Sequence, residues 1–217
     1  MQKGIPQIMD VTSIKSILHY LSREILPSRF ETAQQPEPNT IQIGLRGINN
    51  TSWIEVSWQG DCARIVKINR PDKLGSQSTL AKQLSYGLKY MALVFIEQDK
   101  FERVIKFAFA KKPGDLIDKY LIFELMGKHS NIFYLDKNLK IIAAGKQVKS
   151  TQSSYRTIST GNIYEQPPLN NKKEPNENET FQEWKSMLKV VPETLKNALL
   201  RNYQGVSPIL IKQIEYL

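Results

Sequence analysis

YLIFELMGKHSN, residues 120–131, decides how the chain is read. Tyr120–Met126 is nearly unbroken in its apolar character, and its length suits a strand rather than a helix. Glu124 stands inside that run. A carboxylate there either alternates outward from the core or meets an Arg or Lys, because an unpaired buried charge is costly. Gly127, Lys128, His129, Ser130 and Asn131 then form a turn rich in polar groups, and the chain resumes as the strand-like NIFYLD, 131–136.

Working outward, LVFIEQ (93–98), RVIKFAFA (103–110) and KIIAAGKQV (140–148) read as further strands. Their links KKPGDLID (111–118), GKHS (127–130) and DKN (136–138) are short and polar. An earlier series, TIQIGLRG (40–47), SWIEVSWQ (52–59) and CARIVKI (62–68), alternates in the same way, with GINN (47–50) as a hairpin signal. VTSIKSILHYLSREIL (11–26) has helical periodicity, with Asp10 as its N-cap, Pro27 just past its end and His19 on its polar side. RPDKLGSQS (70–78) reads as a loop, and its Ser78 caps a second helix over TLAKQLSYGLKYM (79–91). Two meanders separated by one helix predict an α+β chain built as a β-sandwich with helical additions.

Residues 149–178 are rich in Ser, Asn, Pro and Lys and read as an extended connector. Helical pattern returns beyond it, and the chain stops inside or just after a helix that has hardly begun, as a piece of a longer protein would. The expected division is a β-rich domain over 1–165, a linker over 166–178 and a helical start over 179–217.

Thirty Lys and Arg against 21 Asp and Glu leave a net charge of +9, which favours a polyanionic partner: nucleic acid or an anionic membrane surface. No run of about 18 apolar residues is present, and MQKGIPQIMD lacks the apolar core of a secretory signal, so a cytoplasmic protein is expected. The lone Cys62 rules out a disulfide or a thiolate metal site within one chain and reads as a small buried thiol. No glycine-rich phosphate loop and no HExxH motif occur, and the only histidines are His19 and His129. The reading is therefore a binding protein without metal or cofactor, not an enzyme.

The polar candidates lie around strand ends. Glu102–Arg103 precedes the strand VIKFAFA. Arg offers a planar fork for phosphate or a base edge, and an adjacent acid orients it or accepts from a base amine. As an exposed ion pair alone the two would contribute under about 1 kcal/mol. Lys128, His129 and Asn131 supply polar groups, while SYR (154–156) and GNIYEQPP (161–168) add Arg156 and aromatic groups able to stack on bases. In ALLRNYQGVSPILIKQI (198–214) a turn at Gly205 separates two helices, the form in which a helix–hairpin–helix presents backbone N–H groups to phosphate.

Taken in order, ER before VIKFAFA, YLIFELMGKHSNIFYLD (120–136) and QSSYRTISTGNIYEQPP (152–168) resemble the N-terminal domain of the NFACT family. LLRNYQGVSPILIKQI (199–214) resembles the opening of that family's helix–hairpin–helix region. The resemblance implies a fold like the N-terminal domain of formamidopyrimidine-type DNA glycosylases. It also implies a role in ribosome-associated quality control: binding large ribosomal subunits (rRNA) blocked by peptidyl-tRNA, and recruiting tRNA for template-free tailing of the nascent chain. The family's acidic residue near the start and its Asp-Arg pair fall on Asp10 and on Glu102–Arg103, with Glu in place of Asp. Asp10, Glu102, Arg103, Lys128, His129, Asn131 and Arg156 are the expected RNA-contacting set. Two alternatives differ in class. A glycosylase or lyase would need an amine nucleophile at a processed N-terminal proline, whereas the chain starts Met1-Gln2-Lys3 and Pro6 is internal. A fibronectin-binding adhesin is the third reading.

Overall fold

The computed structural model describes residues 9–72, 78–153, 156–168 and 171–215; Pro6, Tyr155 and residues 73–77 of the expected loop lie outside them. Helix α1 (Val11–Ile25) starts where Asp10 accepts a hydrogen bond from the Ser13 amide at 2.8 Å, and it buries Val11, Ile14, Leu18, Leu21 and Ile25 along one stripe. Strands β1 (Ser28–Glu37), β2 (Thr40–Arg46), β3 (Thr51–Ser57) and β4 (Arg64–Ile68) follow as an antiparallel meander. Ser78 caps α2 (Thr79–Gly87) by accepting from the Ala81 amide at 3.1 Å. The helix ends at Gly87, short of the expected Met91. A Cβ at Gly87 would collide with the Tyr134 hydroxyl, so glycine is what lets the helix rest there.

A second meander comprises β5 (Ala92–Gln98), β6 (Val104–Ala110), β7 (Ile117–Glu124), β8 (Asn131–Asp136) and β9 (Ile141–Ala144). The two expected sheets are one: a nine-stranded sheet in the order β4-β3-β2-β1-β5-β6-β7-β8-β9. The join is a short seam, Ser28 opposite Leu93 and Arg29 opposite Ala92. Pairing there satisfies backbone groups that two separate sheets would leave on open edges. At the far end of the strands the halves meet again through their turns. A Cβ at Gly60 would lie 3.0 Å from the Lys128 Cα, and Lys146 Nζ donates to the Trp58 carbonyl at 3.3 Å. Cys62 is only partly buried, in the turn before β4 and not in a strand as expected.

The main core lies between the two halves and helices α1 and α2, with Ile14, Leu21, Phe30, Ile43, Leu84, Phe107 and Phe123 among its members. Alternation along β7 sends Leu121 and Phe123 into this core and Ile122 to the other face, where Phe133, Leu135, Ile158 and Tyr164 bury it. Both faces of β7 are therefore covered, which is why its sequence runs apolar without alternation. The remaining helices are α3 (Phe181–Leu188), α4 (Leu195–Asn202) and α5 (Pro208–Glu215); α3 and α4, with Tyr203 and Val206 after them, form a small cluster around Leu188 and Ala198. α3 starts in a capping box between Thr180 and Glu183, and Thr194 caps α4. Gly205, at φ +72°, turns the chain from α4 into α5.

Candidate nucleic-acid interface

Glu102 and Arg103 stand on the turn between β5 and β6. The Asp99 amide donates to the Val104 carbonyl, the Glu102 amide to the Asp99 carbonyl, and Gln98 Nε2 to the Glu102 carbonyl. The Leu125 amide in turn donates to the Arg103 carbonyl at 2.9 Å. The backbone is held on both sides, whereas neither side chain forms a hydrogen bond or ion pair with any described residue. The expected strand-end ion pair does not close. Burial lifts the Glu102 carboxyl above its ordinary value, and nearby Arg103 offsets this only in part. The pair is half-buried, fixed at its roots and unspent at its tips.

Two clefts open on either side of that turn, and Glu102 and Arg103 line both. The smaller, about 240 Å³, runs between the turn and the helical tail past Asp10, Lys172, Gly205 and Ser207. Here Asp10 is a joint as well as a cap. Its Oδ1 accepts from Ser13 and Thr12, and its Oδ2 accepts from the Ser207 hydroxyl at 2.8 Å. Ser207 Oγ in turn accepts from the Leu210 amide at the start of α5. Burial works to raise the Asp10 pKa, but these hydrogen bonds outweigh it and hold the carboxyl below its ordinary value. Gly205 packs beside Phe101 and Val11, where an added Cβ would touch both.

The larger cleft, about 580 Å³, extends from Glu102–Arg103 along the β7–β8 turn. That turn is a single 3-10 turn over Gly127–His129; Gly127 takes φ +57°, and Lys128 and His129 project into solvent. Asn131 lies at its base and is committed to the fold. Its amide donates to the Lys146 carbonyl, and its oxygen accepts from the Ile132 and Lys146 amides, each at 2.8–2.9 Å. Lys146, which sequence reasoning did not single out, is thereby set on the cleft wall.

Arg156 forms the back of the cleft and resolves the question raised by Glu124. Its two terminal nitrogens bond the two Glu124 oxygens at 2.9 and 2.6 Å, and Tyr164 Oη donates to Oε1 at 2.8 Å. Glu124 is 1% exposed. The guanidinium also sits over the Phe133 and Tyr164 rings. Of the two alternatives for Glu124, pairing with an Arg is the one the fold adopts; it does leave the main core by alternation, but the connector covers that face. Burial alone would lower the Arg156 pKa, yet the Glu124 carboxylate raises it overall. Arg156 thus anchors residues 156–168 onto β7 and β8.

All seven expected residues line these two clefts: Asp10 the smaller, Lys128, His129, Asn131 and Arg156 the larger, Glu102 and Arg103 both. They divide by what their side chains already hold. Asp10, Asn131 and Arg156 are engaged within the protein; Glu102, Arg103, Lys128 and His129 make no side-chain hydrogen bond or ion pair with any described residue. Lys172 on the smaller cleft was also missed, standing in the connector as one of an ordinary pair of lysines. No cluster of His, Cys, Asp and Glu suited to a metal ion occurs among the described residues, and no described helix is long and apolar enough to cross a membrane.

Comparison with known proteins adds an independent line. Residues 10–217 match the family described as NFACT N-terminal and middle domains. The Rqc2 homolog RqcH of Streptococcus suis is 32% identical over 160 residues, covering 70% of this chain and 29% of that protein. The Rqc2 homolog RqcH of Bacillus subtilis is 24% identical over 207 residues, 90% of this chain and 35% of that protein. The chain thus spans about a third of the length of these curated relatives. Among solved structures, the N-terminal domain of fibronectin-binding protein PavA from Streptococcus pneumoniae superposes with a TM-score of 0.81 at 24% identity, covering 96% of this chain and 82% of that one. The fold is shared with that domain, and with a family match running from the Asp10 joint to the last residue, this chain belongs to the NFACT family.

Proposed function

We propose that this chain is the RNA-facing N-terminal part of a ribosome quality-control factor. It binds tRNA through the Glu102–Arg103 turn and its flanking clefts, and it acts in the cytoplasm on large ribosomal subunits that retain peptidyl-tRNA. The observation that carries the reading is the state of that turn: a carboxylate and a guanidinium with fixed backbones, free tips and concave surfaces on both sides. Such a pair suits base-edge recognition, since the guanidinium donates in a plane and the carboxylate accepts from an exocyclic amine. Lys128 stands free where a backbone phosphate would pass, Lys172 on the smaller cleft is held by the Leu200 carbonyl at 2.6 Å, and a net charge of +9 draws a polyanion in. The α4–Gly205–α5 turn supplies the opening of a helix–hairpin–helix module, with the Asp10–Ser207 joint fixing it beside the same cleft. The protein works by binding and placing tRNA for C-terminal tailing of the nascent chain, and it performs no base excision. RqcH in its relatives' names supports this reading.

Purified tRNA titrated against the chain tests it. Affinity falls by orders of magnitude between 50 and 200 mM salt if several phosphates are engaged. Arg103→Lys, which keeps the charge and loses the fork, weakens binding while the thermal melt is unchanged. A flat salt response together with full activity of Arg103→Lys would overturn the proposal, and cleavage of an abasic duplex by the same preparation would favour a lyase instead.

A further inference from the structure

At the opposite end of β6 from Arg103 lies a second basic surface. β6 ends at Ala110, and Lys111 and Lys112 open the β6–β7 turn. At about 3.3 Å per residue the two ends of the strand are separated by roughly 25 Å. A groove of about 280 Å³ crosses this end, directly over the seam that joins the two meanders, with Ser28, Arg29 and Ala92 in its lining. Tyr90 stands in it, 65% exposed and at a positive φ of 67° that turns the chain out of α2 into β5. The Arg29 guanidinium lies 5.8 Å from its ring centroid and Lys89 Nζ lies 5.1 Å from it. Arg29, Lys89, Lys111 and Lys112 have no carboxylate partner among the described residues. Arg46 does, pairing with Glu31 at 2.7 Å, and Asp115 is the acid in the β6–β7 turn. Ser28 adds a buried hydroxyl with no hydrogen-bond partner on the groove's lining.

We infer that this groove is a second RNA-contact surface, taking a single-stranded or loop segment with one base stacked on Tyr90 and the adjoining phosphates between Arg29 and Lys111–Lys112. It goes beyond the Glu102–Arg103 site and does not depend on it. An exposed aromatic ring flanked by unpaired cations in a concave surface is the arrangement single-stranded nucleic acid uses, since every base has a face to stack and every linkage a charge to neutralise. An anionic membrane is the competing polyanion. Besides Tyr90, the large apolar side chains exposed here among the described residues are Ile48 in the groove's lining and Leu116 on another turn, 97% and 92% exposed. Two such tips bury little, and a lipid surface makes no use of a groove.

The test is oligouridine of about 30 nucleotides titrated against the 217-residue chain across a salt series. Lys111→Gln with Lys112→Gln lowers the slope of log affinity against log salt by about 1.4, two phosphate contacts' worth for a single strand. Tyr90→Ala weakens binding about tenfold at constant slope. Both variants melt as the parent does, because all three side chains are exposed. Arg103→Ala in the same assay reports the first site separately: its loss multiplies with the Tyr90 loss if the surfaces are independent. Parental affinity and slope in both groove variants would overturn the inference whatever Arg103→Ala does. So would flotation with phosphatidylserine vesicles that the groove variants abolish while oligouridine affinity stays at the parental value.

Discussion

Glu124–Arg156 and Glu102–Arg103 are the same two side-chain types put to opposite uses. Residues 124 and 156 are far apart in sequence, yet they close into a buried two-pronged pair with Tyr164 completing the carboxylate's shell. Residues 102 and 103 are adjacent, yet no ion pair forms between them. Adjacency does not decide the matter, since Asp118 and Lys119 are neighbours in β7 and pair at 3.2 Å; on the β5–β6 turn the two side chains do not reach each other, whereas β7 and the connector bring a fork and a carboxylate face to face. Holding and binding are told apart by where a charge finds its partners. A charge whose partners are all inside the protein is part of the fold, whereas one with a fixed root and a free tip is available to something else.

The hardest way to break that comparison is Arg156→Ala. It leaves Glu124 buried and unpaired, a loss of about 3–5 kcal/mol. In a chain of this size that lowers the melting temperature by on the order of 6–20 °C. Replacing both partners, Glu124→Met with Arg156→Met, recovers much of the loss because no uncompensated charge remains. Thermal melts of the three proteins decide it; a double variant as unstable as the single would show that the Tyr164 contact and the ring packing carry the stability instead.

Arg103→Lys sharpens the other half. It costs about 1–3 kcal/mol in tRNA binding if the fork reads a base. Stability stays within about 0.5 kcal/mol of the parent. The two readouts should separate here and coincide for Arg156.

Asp10→Ala lies between the extremes, because Asp10 is engaged within the protein but at a joint. Losing the α1 cap costs about 1 kcal/mol. The sign of its pH dependence follows from its lowered pKa. The carboxylate's contribution is present above the ordinary value of 3.8 and is lost as pH falls through the lower folded value. Chemical denaturation of both proteins from pH 7 to pH 2 should therefore show the gap between them closing at the acid end.

Glu102→Gln has the smallest expected effect and the opposite sign. Burial raises its pKa, so the charged form is the disfavoured one in the folded chain. Stability then declines slightly as pH rises from the ordinary value of 4.5 through the raised folded value. Glu102→Gln removes that decline and is more stable than the parent at pH 7 by less than about 0.5 kcal/mol. Equal pH profiles for the two proteins would mean that Glu102 is solvated in the folded chain.

Much of the fold was legible because its signals are local. Asp10 and Ser78 cap the helices expected of them, and GINN forms the β2–β3 turn. Most strands fall within a residue or two of the expected runs, and β1 is the one left without bounds, since SRFETAQQPE has no strong alternation. The seven expected residues line two clefts around one turn, although Asp10 stands at a helix cap and Arg156 in the connector. Their roles were not legible. Asn131 reads as one more polar group in a turn, and only its bonds to Ile132 and Lys146 reveal that it is fully used. The seam, too, leaves no mark in sequence, because Ser28–Leu93 and Arg29–Ala92 are ordinary strand residues that find each other across α2.

Where helices and strands begin and end is written locally: periodicity, caps, turn glycines and the excess of cations act over a few residues or over the whole composition. Which charges meet is settled by the packing of distant segments. Arg156 finds Glu124 from 32 residues away, and Ser207 finds Asp10 from 197. The choice depends on which faces the sheet covers and which turns its two halves bring together. Glu102 and Arg103 remain free because every element able to reach them builds a cleft wall instead of a partner.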